Sequence, residues 1–170
     1  MTPMKKTTSL NVTTPSEREI LMTRVFDAPR ELVFEAHSKP ELIRRWLLGP
    51  DGWSMPVCEV DFRVGGKYRY VWRCERETTP GCAPGMEMGM GGVYQEIVVP
   101  ERIVATEKFD QAWYQGEALC TLVLLEKGGR TTLQQSMLYE SRAVRDAVLK
   151  SGMESGVEAS YDRLAKILAS

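Results

Sequence analysis

Residues 152–170 carry a strong amphipathic helix pattern, and it arrives after an almost unbroken run of strand-like segments. Met153, Val157, Tyr161, Leu164 and Leu168 recur at helical spacing with Ile167 on the shoulder. Glu154, Glu158, Asp162, Arg163 and Lys166 take the other faces. Ser151 followed by Glu154 reads as a capping box, and Asp162 before Lys166 as a favourable i,i+4 pair. A helix that follows a sheet must bury its stripe against that sheet. If the sheet curves around it, the space between them is a natural pocket. The pattern therefore speaks of holding something apolar more than of any reaction.

The segments before it read as follows. Glu19 to Phe26 is a first strand, with Ile20, Met22 and Arg24 on one face. Asp27-Ala28-Pro29 stops it and starts a helix with apolar Leu32, Val33 and Ala36. Ser38-Lys39-Pro40-Glu41 combines a capping box with a first-turn proline, so a second short helix carries Leu42, Ile43 and Trp46 and ends at Gly49-Pro50-Asp51-Gly52. Strands are then predicted over 57–62, 67–75, 93–99, 102–109, 117–126 and 131–139. The cleanest alternation sets Tyr68, Tyr70, Trp72 and Cys74 against Lys67, Arg69, Arg73 and Glu75. Gly65-Gly66 and Lys127-Gly128-Gly129 read as hairpin turns. A Gly/Pro/Met-rich loop is expected from 78 to 92, mobile enough to gate a cavity. Ser141 caps a helix through Lys150. The order contains no repeating βαβ unit, which makes the chain an antiparallel α+β domain.

At 170 residues a single domain spanning 19–170 is the economical reading, preceded by a disordered polar leader over 1–18. A net charge of -1 argues against a nucleic-acid surface. No apolar run approaches the roughly 18 residues of a membrane span, and the leader lacks the apolar core of a secretory signal. The four cysteines form no CxxC pair, so reduced thiols in a cytoplasm are the expected state, with a Cys74–Cys82 bridge across a loop base as the minority alternative.

The motifs then converge. Residues 26–34 (Phe-Asp-Ala-Pro-Arg-Glu-Leu-Val-Phe), Arg45-Trp46, Gly49-Pro50, and Asp61 with Gly65-Gly66 resemble the START-like (SRPBCC) superfamily. So do Gly92-Val93-Tyr94-Gln95-Glu96-Ile97, Pro100-Glu101-Arg102-Ile103, Thr131-Thr132-Leu133 and the closing helix. The branch is similar to homologues of the C-terminal domain of the heat-shock-protein-90 ATPase activator. One departure is Leu47, where a second tryptophan often follows the first. The resemblance implies a helix-grip fold, in which a curved antiparallel sheet wraps the long last helix around a cavity, with two short helices after the first strand. It implies much less about function, because members bind lipids, hormones or polyketides, act as cyclases, or assist a chaperone.

No catalytic set stands out. The sole histidine, His37, reads as a residue near a helix C-terminus that favours the local dipole. Met86, Met88 and Met90 near Cys82 could hold Cu(I) as soft ligands, but read first as adaptable apolar filler at the lip of a pocket. No cofactor and no metal is expected. Strand parity nominates Glu107 with Phe109, Gln135 with Met137, and Thr121 as the polar floor of a cavity. Trp46, Tyr68, Tyr70, Trp72, Met88, Met90 and Tyr94 would form its walls, and Val157, Tyr161 and Leu164 its helical side. The expected partner is a small, largely apolar molecule, bound without catalysis. The alternatives are a chaperone accessory module and a cyclase- or dehydratase-type enzyme using Glu107 for proton transfer.

Overall fold

The computed structural model describes residues 9–77, 82–111 and 116–169. Its elements, in chain order, are strands β1 (Asn11–Thr13) and β2 (Glu19–Phe26), helices α1 (Arg30–Ser38) and α2 (Pro40–Trp46), and strands β3 (Trp53–Val60), β4 (Lys67–Cys74), β5 (Glu87–Val98), β6 (Arg102–Phe109), β7 (Ala118–Lys127) and β8 (Arg130–Leu138). Helices α3 (Arg142–Lys150) and α4 (Met153–Leu168) close the chain. The strands form one antiparallel sheet in the order β1-β2-β8-β7-β6-β5-β4-β3. From β3 to β8 this is a simple meander. The first long strand joins the far side, and α1 and α2 carry the chain across from one end of the sheet to the other. The sheet curves around α4, as the helix-grip reading requires.

Local chemistry explains most of the boundaries. Lys127 pairs with Arg130, so Gly128 and Gly129 form a two-residue hairpin turn. Their φ values of 60° and 76° suit the right-handed twist of the flanking strands, and only glycine adopts both without strain. Ser141 caps α3 through its hydroxyl, which accepts from the Val144 amide. On β2 the residues alternate without a break: Ile20, Met22, Arg24 and Phe26 are buried.

Several expectations are corrected. Asn11–Thr13, placed in the polar leader, pairs with β2 as a three-residue edge strand. The strand expected at 57–62 runs from Trp53 to Val60. The loop expected to reach Gly92 ends sooner, because β5 begins at Glu87. Residues 78–81 of that loop lie outside the described residues, and of its methionines Met88 and Met90 stand on β5 while Met86 precedes it. Glycines at 89, 91 and 92 mask this strand in the sequence. Pairing on both sides, to β4 and β6, supplies the order that their propensity lacks.

The helix starts differ as well. No side chain caps α1, α2 or α4, whose N-cap residues are Pro29, Lys39 and Gly152. The Ser151 hydroxyl instead donates to the Val148 carbonyl at the end of α3. Asp162 does not reach Lys166; it pairs with Arg24 on β2, 2.9 Å away. Cys74 and Cys82 are joined in a disulfide with Cα atoms 6.1 Å apart, which overturns the expectation of reduced thiols there. With the Cys82 sulfur committed, the copper alternative loses its thiolate ligand. Cys58 and Cys120 are free.

Candidate functional site: the space between sheet and terminal helix

The inward faces of β4 to β8 and the N-terminal half of α4 enclose a cavity of about 640 Å³. On β4 the alternation does its expected work. Tyr68, Tyr70 and Trp72 turn in, while Arg69 and Arg73 stay outside in ion pairs with Asp110 and Glu87. On β5, Met88, Met90 and Tyr94 line the same space; on β6, Glu107 and Phe109 do. Gln135 and Met137 extend the wall along β8, and Val157 and Tyr161 face it from α4. Trp46, at the end of α2, stacks on Tyr161 with ring centroids 5.7 Å apart.

Two of the nominated residues sit elsewhere. Thr121 belongs to the outer face of β7. Its neighbours Cys120 and Leu122 line the cavity, while Leu125, of the same parity as Thr121, is exposed. Period two leaves only one of the two sets inside. Leu164 is fully buried in the core cluster and off the cavity wall.

Other residues that line the cavity were not nominated: Met22, His37, Trp53, Cys82, Cys120 and Tyr139 among them. So does the segment Leu47–Pro50 after α2. That segment is clasped to α4: the Gly49 amide donates to Ser160 Oγ at 2.8 Å, and Arg163 donates to the Gly49 carbonyl at 2.7 Å. From the other side, the Trp72 indole donates to the Leu47 carbonyl at 2.7 Å.

Most polar groups on the wall are engaged within it. The Tyr68 hydroxyl donates to the Thr106 carbonyl at 2.6 Å, and Tyr161 to Gln135 Oε1 at 2.7 Å. The Trp46 indole donates to the Ala36 carbonyl at 2.8 Å. Tyr70 and Tyr94 are hydrogen-bonded to each other. The Cys120 thiol donates to Glu107 Oε2 at 3.6 Å. Burial pushes the Tyr68, Tyr70, Tyr139 and Cys120 pKa values up, and the Glu107 charge pushes each further. These groups are therefore protonated donors at neutral pH, and neither the phenols nor the thiol is primed as a nucleophile.

His37 stands in the last turn of α1, near the helix C-terminus as expected, but its surroundings do not suit a cation that favours the helix dipole. Its Nδ1 lies 2.7 Å from the Val33 carbonyl, and its ring packs edge-on to Trp46. A carbonyl only accepts, so Nδ1 carries the proton. Nε2 is covered and has no hydrogen-bond partner. Burial lowers the His37 pKa from 6.5 to about 4 against the opposing effect of the Val33 bond, so the ring is neutral. No group of three or more His, Cys, Asp or Glu side chains arranged to hold a metal ion occurs among the described residues.

A curved antiparallel sheet, a gripped terminal helix and a cavity between them define a START-like helix-grip protein. More narrowly, the family model described as activator of Hsp90 ATPase homolog 1-like protein matches residues 27–169, and the chain belongs to that family. A Rhodobacter sphaeroides protein of known crystal structure is 30% identical, with a TM-score of 0.84 over 94% of this chain and 97% of its own. A Chromobacterium violaceum protein is 28% identical with a TM-score of 0.74, over 91% of this chain and 99% of its own. A Mycobacterium smegmatis protein, 18% identical with a TM-score of 0.79 over 94% and 97% of the two chains, shares the fold alone. No curated protein matches the chain. Among the described residues no helix is long and apolar enough to cross a membrane.

Proposed function

We propose that this protein binds a small, largely apolar molecule between its sheet and α4, without catalysing a reaction on it. The observation that carries this reading is the cavity itself: about 640 Å³, within the usual range for small-molecule sites, and walled mostly by apolar side chains, with aromatic residues and methionines prominent among them. A core of this size would ordinarily fill such a volume with its own side chains, since voids in protein interiors are few and small. The wall's internal hydrogen bonds keep its shape fixed, so little ordering is needed when an occupant arrives.

A second reading follows from the family's description, which concerns activation of a chaperone ATPase. In that role the protein would work through its surface, and exposed Val98, Val99 and Leu125 are apolar groups available to it. The enzymatic alternative rests on Glu107 alone, and no primed nucleophile accompanies that carboxylate.

Native mass spectrometry of protein purified from its own host tests the binding reading. A retained small molecule of stoichiometric amount is the expected result. Empty protein whose melting temperature is unmoved by a panel of apolar compounds would remove it.

A further inference from the structure

We propose that the occupant carries an uncharged carbonyl group, and that Gln135 on β8 donates a side-chain amide N–H to that oxygen. The inference rests on the binding reading above and adds the chemical class of the ligand.

The hydrogen bonds around Gln135 carry it. Its side chain lines the cavity in an apolar setting. Met22 and Leu122 stand opposite it on β2 and β7, and Leu133 and Met137 share its face of β8. Gln135 Oε1 accepts from the Tyr161 hydroxyl at 2.7 Å. Nε2 meets the Met137 sulfur at 3.7 Å, and a thioether is a weak acceptor. Among the described residues neither N–H of this amide reaches an oxygen or nitrogen. The Tyr161 bond also sets which way the amide points. The reverse placement would bring the carbonyl oxygen against the lone pairs of the Met137 sulfur.

Other donors of the wall are spent inside it. Tyr68, Trp46 and Trp72 all give their protons to main-chain carbonyls. A glutamine kept only to tie α4 to β8 would need no more than its oxygen. Gln135 adds a donor that the folded chain leaves poorly matched, and it adds it on the cavity wall.

Such a donor sorts ligands by headgroup. A hydrocarbon that displaces water from it leaves the N–H unmatched, which is costly. An ammonium sets donors against a donor. A carboxylate would accept the bond, but no lysine or arginine lines the cavity to meet its charge. A charge taken from water without a partner is far more expensive than a neutral polar group. The carbonyl of a ketone, ester or amide accepts over a broad range of approach and brings no charge.

Three probes with a naphthalene body test the proposal: 2-acetylnaphthalene, 2-isopropenylnaphthalene, in which a methylene replaces the carbonyl oxygen, and 2-naphthoic acid. Each is titrated calorimetrically at pH 7 into the parent and into Gln135→Met, which keeps the side-chain length and removes the amide. The ratio of the alkene to the ketone dissociation constant should fall about fivefold in the variant, the effect of one ordinary hydrogen bond. The acid should bind most weakly to the parent. A ratio that does not move would overturn the role of Gln135 and leave the cavity reading standing. An acid that binds the parent as tightly as the ketone would overturn the uncharged class. Failure of all three to bind would overturn the cavity reading as well. The parent protein gives a further check even if the variant folds poorly. The carbonyl stretch of bound 2-acetylnaphthalene should lie below its value in a hydrocarbon solvent, and a stretch at the hydrocarbon value would overturn the proposed bond.

Discussion

Arg24 and Asp162 join β2 to α4 across the core. The arginine side chain is 0% exposed, its partner carboxylate is 49% exposed, and the two lie 2.9 Å apart. The guanidinium also sits 5.5 Å from the Phe26 ring centre, and Phe26 in turn packs edge-on to Tyr161. The pair therefore fixes the helix against the sheet at the level of the cavity.

The two ends of this pair should not be equivalent. Asp162→Asn leaves a buried cation with its main charge partner neutralised and should cost about 1–2 kcal/mol, less than the 3–5 of a fully buried pair because the carboxylate meets solvent. Arg24→Met replaces the cation with an apolar chain of similar length and should leave stability within about 1 kcal/mol of the parent. Urea unfolding of both variants checks this. Equal large losses would mean that the arginine's packing, not its charge, holds the helix.

Two glycines in β5 should answer differently to alanine. At Gly89 the added methyl would meet the tips of Asp110 and Arg69, side chains that swing aside at the expense of an exposed ion pair. Such pairs contribute about 0–1 kcal/mol, so Gly89→Ala should be nearly neutral. At Gly92 the methyl would meet the main-chain carbonyl of Thr106, the acceptor of the Tyr68 hydroxyl, which cannot move alone. Gly92→Ala should cost about 2–3 kcal/mol, on the scale of core overpacking. Melting temperatures of the two variants give the comparison, and a Gly92→Ala as stable as Gly89→Ala would contradict it.

His37 gives the stability a defined pH dependence. Its folded pKa is depressed to about 4 from 6.5, so the unfolded chain binds the proton more readily. Its contribution is complete above pH 6.5, declines as pH falls through that window, and is spent near pH 4. The residue as a whole is half-buried, so the expected loss is about 1–2 kcal/mol rather than the roughly 3 kcal/mol that the full shift implies. Comparing urea midpoints at pH 7 and pH 5 for the parent and for His37→Gln isolates this term from the carboxylates. Parallel slopes in the two proteins would exclude it.

The Cys74–Cys82 bridge closes a short loop, with a sequence separation of 8. Chain-entropy reasoning assigns such a closure about 2.5 kcal/mol. Reduction with a thiol, or the paired change of both cysteines to serine, should lower the melting temperature by about 5–10 °C for a chain of this length. An unchanged melt under reducing conditions would show that the bridge adds nothing to folding.

The legibility of this chain in its sequence follows from how sharply two faces differ. On β4 the inward tyrosines and outward arginines leave one solution, and the terminal helix has one apolar stripe. On β7 the run Leu119 to Leu125 is apolar on both faces, so the phase is ambiguous and Thr121 was expected on the wrong side. Glu107 and Gln135 were legible because their strand neighbours were uniformly apolar on one parity. The glycines of β5 conceal a strand that tertiary pairing creates. Tyr139 continues the inward parity of Gln135 and Met137 past the end of β8, and Cys120 shares the inward parity of Leu122, whereas His37 reaches the cavity through the placement of α1, which no local pattern encodes. The disulfide depends on the distance between a strand end and a loop, and that too is a property of the folded chain.

The aromatic wall has an optical consequence. All three described tryptophans, Trp46, Trp53 and Trp72, line the cavity. The indole N–H groups of Trp46 and Trp72 are tied to main-chain carbonyls, which holds their chromophores in fixed orientations. Water displaced from beside them by an apolar occupant should shift their emission to shorter wavelength. The protein thus carries its own reporter, and occupancy can be followed on the unlabelled chain.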